Sequence, residues 1–427
     1  MAEKGGRQER LSPDYAANVR MMDDILRVRD NFDVIRKDMQ IGRDRITLYY
    51  IDGFVKDSVM EKLMIFFLSL KRLVPEESGA PGESPLPVQR FVDAALPYVE
   101  TDVSRSVDSM VRMVLAGATL ILGSEFGDAG VIVDARSYPA RETGEPEGDK
   151  VMRGARDGFV ETLVFNTALI RRRIRDPQLT MSYLSVGRSS GTDVVVCYMA
   201  DRADLAYVDK IKTRLNSIRT DSLSMGHESL AESLIRNRWY NPFPKIRYTE
   251  RPDAAAAQLL EGSVLILCDN SPDAMILPTS IFDFMQETND FYFPPLTGTY
   301  IRILRQIIFW LTLFLTPLWY LLLKNPSAIP GWLSFILPTE IGRIPIIAQL
   351  FLVEFIIDGL RMASLNTPDM LSNSLSVVGG LILGDFAVSI GWLIPEVILY
   401  MAFVAIANFI QQSFELGYAT KFSRIAM

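Results

Sequence analysis

The charged residues of this chain are distributed unevenly, and this distribution restricts what it can fold into. Of 44 Lys and Arg residues only five lie after residue 306, and of 51 Asp and Glu residues only seven do, which leaves 39 and 44 before that point. A long segment with so few charges is typical of membrane helices, whereas the preceding part has the composition of a water-soluble fold. At 427 residues, the chain is long enough for two or three domains.

Net charge, the first residues and the two cysteines bear on the partners and the location of the chain. The net charge of −7 argues against nucleic acid. The first residues, MAEKGGRQERLSPD, have no apolar core, so we expect no secretory signal peptide. Cys197 and Cys268 lie in apolar runs without metal-binding or disulfide spacing, which predicts buried, reduced thiols and a cytosolic location for the charged part.

The charged part contains one pattern twice. The run ITLYYIDGFVKDSVMEKL has the same form as VVVCYMADRADLAYVDKI, with Tyr198 standing 148 positions after Tyr50. The later run ATLILGSEFGDAGVIVDA resembles SVLILCDNSPDAMILPT, with Leu265 standing 145 positions after Leu120. Two separate matches at nearly the same offset indicate an internal duplication.

Each repeat predicts a strand, helices and a β-hairpin, and therefore a duplicated α/β region with small mixed sheets. The second repeat gains an extra strand, LTMSYLSVG, through the turn GRSSGT. The run FVETLVFNTALIRRRI predicts an amphipathic helix that bridges the repeats. The predicted division is a disordered tail (1–20), a first α/β subdomain (21–140), a second with the bridging helix (141–298), and an all-α polytopic transmembrane domain (299–427).

The chain offers little that indicates an enzyme. His227 has no catalytic or metal motif beside it and is expected in a solvated linker, and GRSSGT lacks the ending of a phosphate-binding loop. The run RRRIR, residues 171–175, is either a phosphate site or a basic helix end that meets acidic neighbours, and the second interpretation is favoured. We predict no catalytic residue, no cofactor and no metal.

The apolar part contains candidate membrane helices. Residues 307–323 carry no charge and span roughly 26 Å as a helix, which predicts a first transmembrane helix that tolerates Pro317. Residues 375–394 and 395–410 predict two more. In the first of these, Gly380 and Gly384 have a spacing that lets another helix pack closely, and Asp385 is its one charge.

A further apolar run, FLVEFIIDGLRMA, carries Glu354, Asp358 and Arg361 at spacings of four and three, which place them on one helix face. One interpretation of residues 344–360 is an amphipathic helix at the membrane interface. The other is a spanning helix whose charged face lines a wet interior, with Arg361 partly offsetting the carboxylates. Both remain open, and we take Glu354, Asp358, Arg361 and Asp385 as candidate pore or gating residues.

Three stretches resemble one family: VMRGARDGFVETLVFNTALIRRRIRDPQL, NPFPKIRYTERPDAAAAQLLEGSVLILCDNSP and GGLILGDFAV. They are similar to the A subunits of spore germinant receptors, the GerA family, from about residue 20 onwards. The runs DARSYPARETGEPEGDKVMRGARDG and IPEVILYMAF resemble the branch associated with the SpoVA dipicolinate-release system. DGLRMASLNTP departs from the usual receptor pattern, which supports that branch.

The resemblance implies a duplicated cytosolic region, helices in the spore inner membrane, and oligomers that conduct ions. It also implies further hydrophobic helices after SFELGYATKFSRIAM, so we expect a shorter member or a truncated version. The expected function is a subunit of an oligomeric ion channel in spore germination. The alternatives are a nutrient germinant receptor A subunit and a non-conducting membrane scaffold. Expected partners are copies of itself, other germination proteins of that membrane, and the lipid bilayer.

Overall fold

Two compact units make up the chain. The computed structural model describes residues 10–73, 87–96, 100–136, 154–235, 240–287, 289–338, 343–365, 387–410 and 413–427. The N-terminal unit comprises Met1–Asn237 with Ile246–Thr279, and the helical unit comprises Arg238–Lys245 with Ser280–Met427.

The first sheet of the N-terminal unit is antiparallel and has helices on both faces. Its strands are β1 (Val34–Ile41), β2 (Asp44–Ile51), β3 (Thr101–Ser104), β4 (Thr119–Gly123) and β5 (Gly130–Val133), in the order β1-β2-β4-β5-β3. Its helices are α1 (Tyr15–Leu26), α2 (Asp57–Ser69), α3 (Pro87–Ala95) and α4 (Val107–Leu115). Alternate strand residues join a core with α1 and α4 on one face and a core with α2 and α3 on the other.

The second sheet of the N-terminal unit is built in the same way. Its strands are β6 (Leu179–Val186), β7 (Thr192–Met199), β8 (Arg247–Thr249), β9 (Val264–Cys268) and β10 (Ala274–Leu277), in the order β6-β7-β9-β10-β8. Its helices are α5 (Leu163–Arg173), α6 (Leu205–Ser217), α7 (His227–Leu234) and α8 (Pro252–Leu260). Helices α5 and α8 cover one face, and α6 and α7 cover the other.

The pairing register reproduces the duplication that the sequence predicts. Tyr49 pairs with Leu120 in the first sheet and Cys197 pairs with Leu265 in the second, so the partners are separated by the two offsets seen in the sequence. The turn before each central strand is also repeated, because Gly117 and Gly262 have φ angles of 101° and 100°. Such a backbone strongly favours glycine. The duplicated α/β architecture is therefore confirmed, but the strand pairs of both sheets are antiparallel and not mixed as predicted.

Two details of the predicted repeat were wrong. The strand LTMSYLSV is not an addition to the second repeat, because β1 holds the same place in the first sheet. The β1 sequence, VIRKDMQI, has charged residues at its centre and was not recognised as a strand. The short edge strands β3 and β8 were also missed, since three or four residues give too little alternation to detect.

Helix α5 connects the two repeats, as predicted. Its Ala168 lies in a core of the first sheet, whereas its Leu169 lies in a core of the second. Arg171 of the same helix is fully buried and pairs with Asp33, at 2.8 Å from Nε to Oδ2 and 3.1 Å from Nη2 to Oδ1. Arg173 pairs with Asp157, so the basic helix end does meet acidic neighbours.

The helical unit contains no strand among its described residues. Its helices are α9 (Asn289–Tyr292), α10 (Pro295–Lys324), α11 (Ile346–Leu365), α12 (Ala387–Ser389), α13 (Pro395–Ile410) and α14 (Phe414–Ala426). Short 3-10 helices are formed by Asp283–Met285, Pro326–Ala328 and Gly331–Ile336. Among the described residues, α10 alone is both long and apolar enough to cross a membrane, and Pro395–Asn408 is a shorter apolar helix. A polytopic membrane domain stays a prediction.

Helices α10, α11 and α13 share one apolar core. Trp319, Val353, Val397 and Met401 are buried in it. The Trp319 indole Nε1 donates a hydrogen bond of 2.9 Å to the carbonyl of Ile336, so its polar atom is satisfied. Helix α10 has 30 residues, begins before the predicted segment and continues through Pro317. At about 1.5 Å per residue it is about 45 Å long.

Candidate functional site

Four charged side chains meet within the helical unit. Glu354 and Asp358 are four residues apart on α11, and Lys421 and Arg424 are three apart on α14. Both spacings place the pair on one face of its helix. The acidic face of α11 therefore lies against the basic face of α14, and we call these four residues the charge cluster.

Each carboxylate of the charge cluster has a cationic partner. Arg424 Nη2 donates to Glu354 Oε1 at 2.6 Å, and Arg424 Nη1 donates to the carbonyl of Thr312 on α10 at 3.2 Å. Lys421 forms an ion pair with Asp358, and its Nζ lies 3.8 Å from Glu354 Oε1. The contacts thus link α11, α14 and α10 through one charged group of atoms.

Three of the four residues of the charge cluster are buried, whereas the Asp358 side chain is 29% exposed. Glu354 is 8% exposed, Lys421 9% and Arg424 6%. Removing charges from water costs several kcal/mol per ion after relaxation, and this cost is recovered only when partners are close and well oriented. Two carboxylates and two cations give the cluster no formal net charge, so each helix compensates the charges of the other.

Arg361 has a different position from the one that its spacing suggests. Its guanidinium carbon lies 4.9 Å from the ring centre of Phe414 and 5.8 Å from that of Tyr418, both on α14. Cation–π contacts of this kind hold a cation against an aromatic face. Lys421 and Arg424, rather than Arg361, are therefore placed beside Glu354 and Asp358.

Comparison with known proteins identifies the family. The family model described as Bacillus/Clostridium GerA spore germination protein matches residues 21–427. The chain belongs to the GerA family. It is therefore a spore germination protein, and the membership that the sequence motifs predicted is confirmed.

Relatives of this GerA-family protein include several curated germination proteins. It is 38% identical to stage V sporulation protein AF of Bacillus subtilis (strain 168), over 93% of this chain and 78% of that protein. It is 28% identical to spore germination protein KA of the same organism, over 97% and 75%. Among solved structures, it is similar to the N-terminal domain of the A subunit of the Bacillus megaterium spore germinant receptor GerK3, with 21% identity, a TM-score of 0.47, and coverage of 64% of this chain and 99% of that one.

Three of the predicted residues cannot be placed. Gly380, Gly384 and Asp385 lie outside the described residues, as does most of the predicted span 375–394. Their roles in helix packing and in a pore or gate stay predictions.

Two cationic residues of the GerA-family protein were missed as site candidates, although a signal existed. Lys421 and Arg424 lie more than 60 positions from their partners, so local spacing does not connect them. They are, however, two of only five basic residues after position 306, and they share a helix face. The opposite charges of the acidic face of one apolar helix and the basic face of another could have been used to pair the two helices.

A cavity opens beside the charge cluster. It has a volume of about 430 Å³ and is bounded by Glu354 and Arg424, with apolar walls from α10, α11 and α13 that include Leu321, Leu350 and Met401. The ion pair of Glu354 and Arg424 therefore lies at the wall of this cavity. A cavity of this size is within the range of small-molecule pockets.

Other candidates have structural contacts. His227 begins α7 rather than lying in a solvated linker; its ring is 5.2 Å from that of Tyr248 and its Nε2 is 3.7 Å from Asp273 Oδ2. Cys197 and Cys268 are buried and unbonded to each other, as predicted. Within the described ranges, no group of three or more His, Cys, Asp or Glu residues could hold a metal ion.

Proposed function

We propose that this GerA-family protein is a non-enzymatic subunit of an oligomeric ion channel that acts in bacterial spore germination. In this proposal it is a multi-pass protein of the spore inner membrane, and the N-terminal unit faces the cytosol of the spore core. It assembles with copies of itself and with SpoVA or germinant-receptor components, and the lipid bilayer surrounds its apolar helices.

The charge cluster is the observation that carries the proposal. A charged side chain at membrane depth costs at least roughly 2.5–3.5 kcal/mol, so such residues occur where they pair with one another or line an ion pathway. Glu354 and Asp358 are placed among apolar helices, and α14 supplies their partners. This arrangement suits a path that is closed when the helices are together.

The cluster suggests how such a path would open. While Lys421 and Arg424 occupy the carboxylates, no cation can use them. Displacing α14 from α11 would free two carboxylates four residues apart, and copies of α11 from several subunits would form an acidic ring that favours cations. In this proposal α14 is the gate, and Arg361 holds it through the aromatic residues of α14. Asp385 is a further pore or gating residue. Gly380 and Gly384 allow helices to pack closely.

Ion flux through liposomes that contain the purified full chain tests the proposal. We expect the wild-type protein to conduct cations in preference to anions. Glu354→Gln and Asp358→Asn should each reduce that preference and raise the basal flux, because the carboxylate is lost and α14 is held less firmly. Glu232→Gln removes an exposed carboxylate of α7 in the N-terminal unit and should leave both quantities unchanged.

Two outcomes would contradict the proposed channel. No flux from wild-type protein that is correctly assembled would favour a non-conducting scaffold. Equal selectivity in wild-type, Glu354→Gln and Asp358→Asn proteins would remove the cluster from the path, even if flux occurred.

A nutrient germinant receptor A subunit is the second candidate, favoured by the match to spore germination protein KA over 97% of this chain. Such a subunit would depend on other receptor proteins to sense nutrients. Spores that lack this gene should then fail to respond to at least one single nutrient. A normal response to every nutrient tested singly would exclude that role.

A further inference from the structure

The segment that follows α10 in the helical unit carries an exposed aromatic surface. Trp332 is 77% exposed and Phe335 is 75% exposed. Both belong to the 3-10 helix Gly331–Ile336, and its three residues per turn place them on the same face. Residues 325–339 contain no charged side chain. Adjacent exposed aromatic side chains without charges mark a site of contact with a membrane or a protein.

The other face of this 3-10 helix is fixed to the core of the helical unit. Ile336 is buried in the same core as Trp319 and Val353, and Leu333 packs against that core. The Trp319 indole donates its hydrogen bond of 2.9 Å to the carbonyl of Ile336. The two exposed aromatic side chains are therefore held in a fixed orientation, pointing away from the helices.

The contact with Trp319 gives the level of the segment along α10. Trp319 lies five residues before Lys324, where α10 ends, and this corresponds to about 7.5 Å at about 1.5 Å per residue. The chain leaves α10 at Lys324 and turns back until Ile336 reaches the Trp319 side chain. The 3-10 helix therefore lies beside the last turns of α10. In a helix that spans a bilayer, these turns are at the boundary between acyl chains and headgroups.

A second exposed tryptophan lies at the same end of the helical unit. Tyr400 of α13 contacts Trp319 near the end of α10, with ring centres 4.7 Å apart. The carbonyl of Ile410, at the end of α13, accepts a hydrogen bond of 2.8 Å from Arg305, nearer the beginning of α10. The two helices are therefore antiparallel, and Trp392, which precedes α13 and is 54% exposed, lies at the C-terminal end of α10. Tryptophans gathered at one level are typical of a membrane interface.

The lack of charge favours lipid over a protein partner. Protein interfaces have a polar rim that stays accessible to solvent, and residues 325–339 offer no charged side chain for such a rim. The Trp332 indole N–H has no hydrogen-bond partner among the described residues. At a lipid boundary its ring can enter the acyl region while the N–H stays hydrated, so both parts of the side chain are satisfied.

We propose that Trp332 and Phe335 anchor the segment 325–336 at the boundary between lipid headgroups and acyl chains. Their rings enter the bilayer by about 5–10 Å, as the apolar face of an interfacial helix does. The indole N–H of Trp332 donates to headgroup oxygens or to water. This inference rests on the membrane location in the proposed function, and the experiment separates the failure of one from that of the other.

Quenching of tryptophan fluorescence by brominated phosphatidylcholines tests the anchor, with the full chain reconstituted in vesicles. The parent variant carries Trp239→Phe, Trp310→Phe and Trp392→Phe and keeps Trp319 and Trp332. Bromine near the headgroup should quench its emission about twofold more than bromine near the end of the acyl chain, since Trp332 lies at the interface. Adding Trp332→Phe should remove this difference, because Trp319 is buried among the helices.

A matched variant measures membrane insertion separately. It adds Phe314→Trp to the protein that already carries Trp332→Phe. Phe314 is 43% exposed on α10 and lies ten residues before Lys324. This is about 15 Å along the helix, or about half of a hydrocarbon core. Bromine near the end of the acyl chain should therefore quench this variant more than bromine near the headgroup.

The two variants distinguish the possible failures. If the Phe314→Trp variant shows deep quenching but Trp332 is quenched by aqueous iodide, or by neither lipid, water or protein covers this surface and the anchor is overturned. Quenching of Trp332 mainly by the deep bromine would overturn the interfacial level. Absence of lipid quenching in the Phe314→Trp variant would contradict the membrane location itself, and the anchor would be overturned with it.

Discussion

Arg171 shows how one residue connects the two repeats. Its guanidinium is fully buried, pairs bidentately with Asp33 and donates through Nη1 to the carbonyl of Leu179 at 3.2 Å. Asp33 lies just before β1, and Leu179 begins β6, so the same side chain reaches both sheets. A buried charge in this situation is stabilised only while its partner is present.

Replacing Arg171 by Met should destabilise the protein by about 3–5 kcal/mol, since the Asp33 carboxylate is then buried without a cation. The double variant Arg171→Met with Asp33→Asn should lose less than the single one. Urea unfolding of the full chain in detergent, followed by circular dichroism, measures both. Arg172→Met, at the exposed neighbouring position, should cost no more than about 1 kcal/mol. A loss in Arg171→Met as small as in this control would disprove the structural role.

At the level of elements, the contact between α11 and α14 was the part of the site that local sequence patterns could not predict. The acidic face of α11 was visible from its spacing, and Arg361 was the nearest cation along the chain. Tertiary packing instead brings Lys421, 63 residues from Asp358, into the pair. Strand β1 was not predicted because its central residues are polar or charged. Only its equivalence with β6 in the second sheet identifies it. The central strands β4 and β9 were predictable because they are continuous apolar runs.

A double-mutant cycle on Glu354→Gln and Arg424→Gln should give a coupling free energy of about 1–3 kcal/mol, since the two atoms are in direct contact and shielded from water. The thermal unfolding of the four proteins in detergent supplies the values. The exposed pair of Arg188 and Asp221 is the reference cycle, and its coupling should not exceed about 1 kcal/mol. Equal coupling free energies in the two cycles would mean that the charge cluster is open to solvent and cannot hold α14 against α11.

For the whole molecule, the buried cysteines allow a test of orientation. Burial raises the pKa of Cys197 well above its usual range and that of Cys268 to about 11, with the Ser271 hydroxyl opposing the shift of Cys268. A thiol with a raised pKa stays protonated until the pH approaches that value, so both thiols should be silent toward alkylating reagents near neutral pH. Labelling of a single cysteine introduced at an exposed position can therefore be measured without a contribution from the two native thiols.

Ser189→Cys, at the exposed tip of the β6–β7 hairpin, should be labelled from the cytosolic side alone. We expect a membrane-impermeant maleimide to modify it in inside-out vesicles and not in intact right-side-out vesicles. Wild-type protein, with its buried thiols, is the control and should remain unlabelled in both. Labelling from the outer face of intact vesicles would contradict the proposed topology.

The duplication has a consequence for biosynthesis. The first sheet ends at Val133 and the second begins at Leu179, so the strands of the two sheets do not alternate along the chain. Translation at about 5–20 residues per second needs roughly 2–9 s to pass from one to the other, whereas mixed α/β domains commonly fold within a second. The first sheet can fold before the strands of the second sheet have been synthesised. Mispairing between equivalent strands, such as β2 and β7, is therefore avoided by the order of synthesis.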